Sequence, residues 1–210
     1  MADKQESKRE NLKKRLVESA RNLIEQQGLA NLRARDIAKQ AGCALGGLYT
    51  VFNDIDALIL AVNSHTLHEM EKVLLRESQI AEDMDSHVFR RLSLAYLHFA
   101  QQNHNLWSAL FEHQLPNNAP APEWHQNEQS SLIRFIAAPL ATAMPDASQE
   151  DITARARTLF AAIHGVVSLS LENRFIGLPE DKLEQEVGNL ADMLAASHAL
   201  PPHHHPQDRA

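Results

Sequence analysis

The chain has 210 residues, with 20 Lys and Arg against 27 Asp and Glu for a formal charge of −7. That is long enough for one large or two small domains with a buried core. Cys43 is the single cysteine, and no apolar run approaches the roughly 18 residues that span a bilayer, so a disulfide-stapled mini-protein and a membrane-embedded role are both excluded. A pI near 5.9 argues against a nucleic-acid binder only if the charge is evenly spread, and it is not. Residues 1–60 carry +2 and residues 61–210 carry −9, a basic head on an acidic body. The opening MADKQESKRENLKKR has charges but no apolar h-region, which predicts a protein of the reducing cytoplasm.

Only 7 glycines and no alternating strand pattern predict an all-α chain. Over 8–27, Leu12, Leu16, Ala20, Leu23 and Ile24 recur at three- and four-residue steps, opposite Lys13, Lys14, Arg21 and Glu25, which is one apolar stripe on a helix. Gly28 ends it as a C′ glycine. A short helix follows over about 33–41, with Ala34, Ile37, Ala38 and Ala41 inward, Asn31 as its candidate cap and Gly42 as its stop. After a turn at 42–44 comes a second short helix, 45–52. Asn53-Asp54-Ile55-Asp56 then reads as the cap and first turn of a helix running over 54–77. Two short helices joined by a Gly-containing turn and packed on a longer one make a helix-turn-helix, whose second helix fits a DNA major groove.

Gly28, Arg35-Asp36-Ile37-Ala38, Ala41-Gly42, Gly46, Leu48-Tyr49, Phe52 and Ala57-Leu58 resemble, in order and spacing, the N-terminal domain of TetR/AcrR-type repressors. The resemblance covers residues 8 to about 60. It implies that the helix 45–52 enters the major groove, that Tyr49 contacts a phosphate, and that Leu48 and Phe52 belong to the core. A phosphate contact positions the protein without reading sequence. Lys8, Arg9, Lys13, Lys14, Arg33 and Arg35 are candidates for releasing counterions, and Arg33 stands out because a helix start disfavours a cation unless an anion is near. The expected DNA-contacting set is Arg33, Ala44, Leu45, Gly46, Gly47, Tyr49 and Thr50. This chain departs from the family pattern at Leu32, Ala44, Leu45, Gly47 and Ile55, where the family usually has hydroxyls or cations. Direct readout of base edges is therefore thin. Ala44 and Leu45 are suited to thymine methyls, and Gly46 and Gly47 permit close backbone approach.

The body is helical as well, with apolar periodicity over 86–103, 104–115, 124–143, 148–174 and 179–197 and a proline-rich break from Pro116 to Pro122. With the head this predicts nine helices, the layout that the resemblance implies, without internal repeats. Residues 152–171 are too apolar for a helix with one solvated face. The resemblance implies a homodimer through helices of about 148–174 and 179–197, which suits two heads on two half-sites. Five of the eleven aromatics fall between Phe89 and Phe111. Tyr96, Phe99, Trp107, Phe111, Phe135 and His164 are the candidate lining of a site for a hydrophobic small-molecule effector, with His98, His104 and His113 as further polar groups. Each aromatic has plain core packing as its competing assignment.

No metal, cofactor or catalytic site is expected. His65, His68 and Glu69 share a helix face and His203-His204-His205 lie in the tail, but a structural zinc site needs about four converging ligands. No strand-turn-helix elbow frames a serine nucleophile, and Cys43 reads as a small buried apolar residue. The expected division is a helix-turn-helix domain with an N-terminal arm over 1–53, a ligand-binding and dimerisation domain over 54–198, and a disordered tail over 199–210. The predicted function is a ligand-responsive transcriptional regulator, most simply a repressor that a hydrophobic effector releases from a double-stranded DNA operator. The alternative is a module of the same fold that binds a small molecule or protein with weakened operator recognition.

Overall fold

The computed structural model describes residues 2–79, 87–172 and 176–196; the tail expected over 199–210 lies outside them. Among the described residues there are nine α-helices and no strand: α1 (Ala2–Gln27), α2 (Ala34–Gln40), α3 (Leu45–Val51), α4 (Ile55–Ser78), α5 (Val88–Gln102), α6 (His104–Glu112), α7 (Glu123–Ala143), α8 (Gln149–Leu171) and α9 (Glu180–Ala196). Single 3-10 turns stand at Leu29–Asn31 and Pro116–Asn118. No single helix among the described residues is long and apolar enough to cross a membrane.

The chain packs as two compact units, residues 1–73 with 98–131, and residues 74–97 with 132–210. In the first, the α1 stripe buries Leu16, Val17, Ala20 and Ile24 against Ile37 of α2, Leu48 of α3, Leu58 and Val62 of α4, and Leu106 and Ala109 of α6. Truncating one such leucine to alanine costs roughly 2–5 kcal/mol. Asn105 Nδ2 donates to the Glu25 carbonyl at 2.8 Å, which satisfies one of the open carbonyls at the end of α1. Gly28 follows at φ +76°, a conformation that side chains disfavour. In the second unit, Phe89, Leu140, Ile152, Ala156 and Leu159 form the core. There α8 and α9 pack together, and Arg90 Nη1 holds Asp192 Oδ2 at 2.6 Å. Ser148 caps α8 by accepting from the Asp151 amide at 3.1 Å.

The sequence expectations differ from the fold in details with physical causes. α1 begins at Ala2 rather than at residue 8, since Lys, Gln and Glu propagate a helix without an apolar stripe. Asn31 does not cap α2: it sits in the 3-10 turn and donates to the Gln27 carbonyl at 2.7 Å, and the N-cap is Arg33. α6 stops at Glu112 rather than 115 because His113 turns extended, at φ −71° and ψ 116°. α8 ends at Leu171, before the expected 174. Asp54 does cap α4, its carboxylate accepting from the Ala57 amide at 2.7 Å.

Candidate functional site

The recognition geometry begins at the end of α2. The Cys43 amide bonds the Ala38 carbonyl at 2.9 Å and the Gly42 amide bonds the Lys39 carbonyl at 3.2 Å, with Gly42 at φ +68°. This 6→1 and 5→2 pair, closed by a left-handed glycine, is a Schellman stop, and it turns the chain into α3 within three residues. Leu48 anchors α3 to the core while Tyr49, on the next position around the helix, is 50% exposed. α3 and α4 then diverge by 68° across Phe52, Asn53 and Asp54, so α3 is a separate short rod, packed on α1 and α2 with Gly46, Tyr49 and Thr50 exposed.

The outer face of this rod is poor in hydrogen-bond donors. Ala44 occupies the N-cap without a side-chain bond, so the first amides of α3 are left uncapped. Thr50 Oγ1 donates to the Gly46 carbonyl at 2.9 Å, leaving its lone pairs outward. Gly46 is exposed, and a Cβ built on it would meet no atom within 4 Å. At Gly47 a Cβ would touch Cys43 Cβ at 3.5 Å, an ordinary contact that places Cys43 behind α3. Leu45 is half-buried and Ala44 exposed. Arg33 is exposed at the N-cap of α2, and Arg35, Lys8, Arg9, Lys13 and Lys14 are exposed as well. The expected DNA-contacting residues thus fall in one helix-turn-helix and the arm of α1, in the same compact unit.

The expected effector residues fall in both units. In the second, Tyr96 Oη lies 2.8 Å from His164 Nδ1. The Phe160 ring stacks on His164, with centroids 5.6 Å apart and planes at 16°, and meets Tyr96 edge-on at 5.7 Å. Burial pushes the His164 pKa below its ordinary value against an opposing pull from Glu172, so the imidazole is held neutral near pH 7. Phe135 is buried, with the Arg134 guanidinium 5.5 Å from its centroid. In the first unit Trp107 is buried and meets Phe111 edge-on at 5.4 Å, and Phe99 is buried. His113 makes a different contact from the effector role considered for it: its Nε2 lies 2.9 Å from Asp56 Oδ1, tying the end of α6 to the first turn of α4.

Sequence reasoning missed a second histidine there. His125 is buried beside Glu128, with Nδ1 3.5 Å from Oε2, and Ser64 donates to the other Glu128 oxygen at 2.8 Å. Burial lowers the His125 pKa, opposed by Glu128 and reinforced by the charge of His113. The i, i+3 spacing of His125 and Glu128 was visible, but their burial depends on packing from α4. Among the described residues no group of three or more His, Cys, Asp or Glu is placed to hold a metal ion.

Residues 16–62 match the family of bacterial regulatory proteins of tetR type, and residues 89–194 match the tetracyclin repressor-like C-terminal domain. The chain belongs to the TetR family of transcriptional regulators. TetR-family members are DNA-binding regulators rather than enzymes, in keeping with an exposed helix-turn-helix. Solved structures share the fold. A protein of unknown function from Rhodococcus sp. RHA1 superposes with a TM-score of 0.71 at 22% identity, covering 89% of this chain and 94% of its own. The TetR-family regulator PfmR from Thermus thermophilus gives 0.60 at 14%, covering 87% and 97%. RolR in complex with resorcinol gives 0.63 at 18%, covering 93% and 96%. No curated protein gives a significant match.

Proposed function

We propose that this TetR-family regulator is a repressor that binds a palindromic operator as a homodimer and leaves it when a hydrophobic small molecule occupies the body. The observation that carries the reading is the pairing of a buried Leu48 with an exposed Tyr49 on α3 behind a tight glycine stop, which is what a helix needs to enter a groove while held by its own core. Tyr49 then donates to a phosphate, Arg33 supplies charge at the start of α2, and Ala44, Leu45, Gly46, Gly47 and Thr50 meet base edges and sugar. Residues 1–53 serve as the DNA-binding domain and 54–198 as the effector and dimer domain. α4 (Ile55–Ser78) follows α3 directly and runs on into the body, so a shift of α4 relocates α3. Tyr96 and His164, a polar pair beside the Phe160 ring, are the proposed readers of the effector's polar group. Phe135, buried in the same unit, supplies apolar surface. RolR is a relative in fold solved with an aromatic ligand, resorcinol, which supports a small aromatic effector. The dimer forms through α8 and α9.

The experiment is selection of genomic fragments with purified protein at moderate salt. An enriched palindrome, lost in the double variant Tyr49→Phe with Arg33→Ala, supports the repressor. The internal bond of Thr50 and the uncapped Ala44 favour one competing reading, a binding module of the same fold with weakened operator recognition; recovery of random fragments whose binding vanishes with salt is its signature.

A further inference from the structure

A groove runs along α1 in the first unit and shares Arg9, Lys13 and Lys14 with the candidate phosphate contacts. It encloses about 810 Å3 and is lined by α1, the end of α3, the first half of α4 and the start of α7, a size in the range of small-molecule sites. Its apolar lining is Val17, Val51, Phe52, Ala57, Ala61 and Trp124. Ala57 and Ala61 are one turn apart on α4 and keep that wall low, while the Trp124 indole, 48% exposed, offers a face for a second ring. The charged lining is Arg9, Lys13, Lys14 and Arg21 against Glu10, Glu18 and Glu69. Arg21 Nη2 is tied to Glu69 Oε2 at 2.8 Å, so the rest leave one positive charge uncompensated.

We propose that this groove binds a small aromatic monoanion, an aromatic carboxylate, with its ring beside Trp124 and its charge among Arg9, Lys13, Lys14 and Arg21. A single excess charge suits a carboxylate better than a phosphate dianion, and the apolar wall suits a ring better than a sugar. Asn53, in the link between α3 and α4, lines the same groove, so the occupant touches the segment that sets the direction of α3.

Two-dimensional NMR of the full-length protein labelled at its indole nitrogens tests the site, because Trp107 and Trp124 are the only tryptophans and Trp124→Phe assigns them. Titration with 2-naphthoate is expected to shift the Trp124 signal saturably. Lys13→Glu with Lys14→Glu, both exposed and clear of the core, is expected to weaken binding about tenfold at low salt, and uncharged 2-naphthamide to bind about tenfold more weakly than the acid. An unmoved Trp124 signal, movement of Trp107 alone, equal affinity for the amide, or indifference to the lysine reversals would each overturn the proposal.

Discussion

Gly46 is the residue at which stability and recognition pull apart. It sits in the first turn of a seven-residue helix, exposed, with open space where a side chain would go. Alanine there is expected to stabilise the fold by about 0.5–1 kcal/mol, which for a chain of this size raises Tm by about 2–4 °C per kcal/mol. If the backbone must approach DNA closely at this point, the same methyl weakens operator binding. A thermal melt and an affinity titration on Gly46→Ala read both; a stabler protein with unchanged affinity removes Gly46 from the interface. His164 supplies a pH-dependent counterpart. Its folded pKa lies below 6.5, so its effect on stability is absent above about pH 6.5 and becomes a loss as pH falls below it, when the unfolded chain takes the proton first. His125 acts with the same sign. Melts between pH 7.5 and 5.5 are expected to fall less steeply for His164→Gln than for the wild type, and parallel curves would show that burial does not hold the imidazole neutral.

At the scale of elements, the helices were legible where apolar periodicity is strong and blurred where other forces decide. The stripe of α1 and the Gly42 stop could be read directly, because a 3.6-residue repeat and a left-handed glycine each leave a local mark. The start of α1 left none, since solvated helix formers carry no period, and neither did the end of α6, where His113 turns extended and meets the distant carboxylate of Asp56. The corner between α8 and α9 was equally hidden. A Cβ on Gly177 would lie 2.5 Å from the Leu169 carbonyl, and the Leu178 amide donates to Ser170 Oγ at 2.9 Å. Along α8, Ala161 and Leu169 are exposed and a Cβ on Gly165 would meet nothing, while Met193 is exposed on α9. That apolar face suits a second copy of α8 and α9. Leu169→Glu buries no charge within the protomer and is expected to weaken dimerisation at least tenfold by sedimentation; an unchanged dimer would place the interface elsewhere.

For the whole molecule, a net charge of −7 is an average over a basic head and an acidic body, and the fold keeps the recognition helix within the basic part of the chain. The nine helices among the described residues and their order were legible because most of them bury an apolar stripe. The candidate site was legible only in part. Tyr49, Leu48 and the glycines announce α3, but the Tyr96–His164 bond joins residues 68 positions apart, and no local pattern encodes that. If a donor-poor α3 still recognises a particular DNA sequence, titration at about 0.15 M salt separates the selected operator from a scrambled duplex of equal length. The operator is expected to bind at least about 10³-fold tighter than the scrambled duplex, with the margin lost in Tyr49→Phe with Arg33→Ala. Equal affinity for the two duplexes would contradict it.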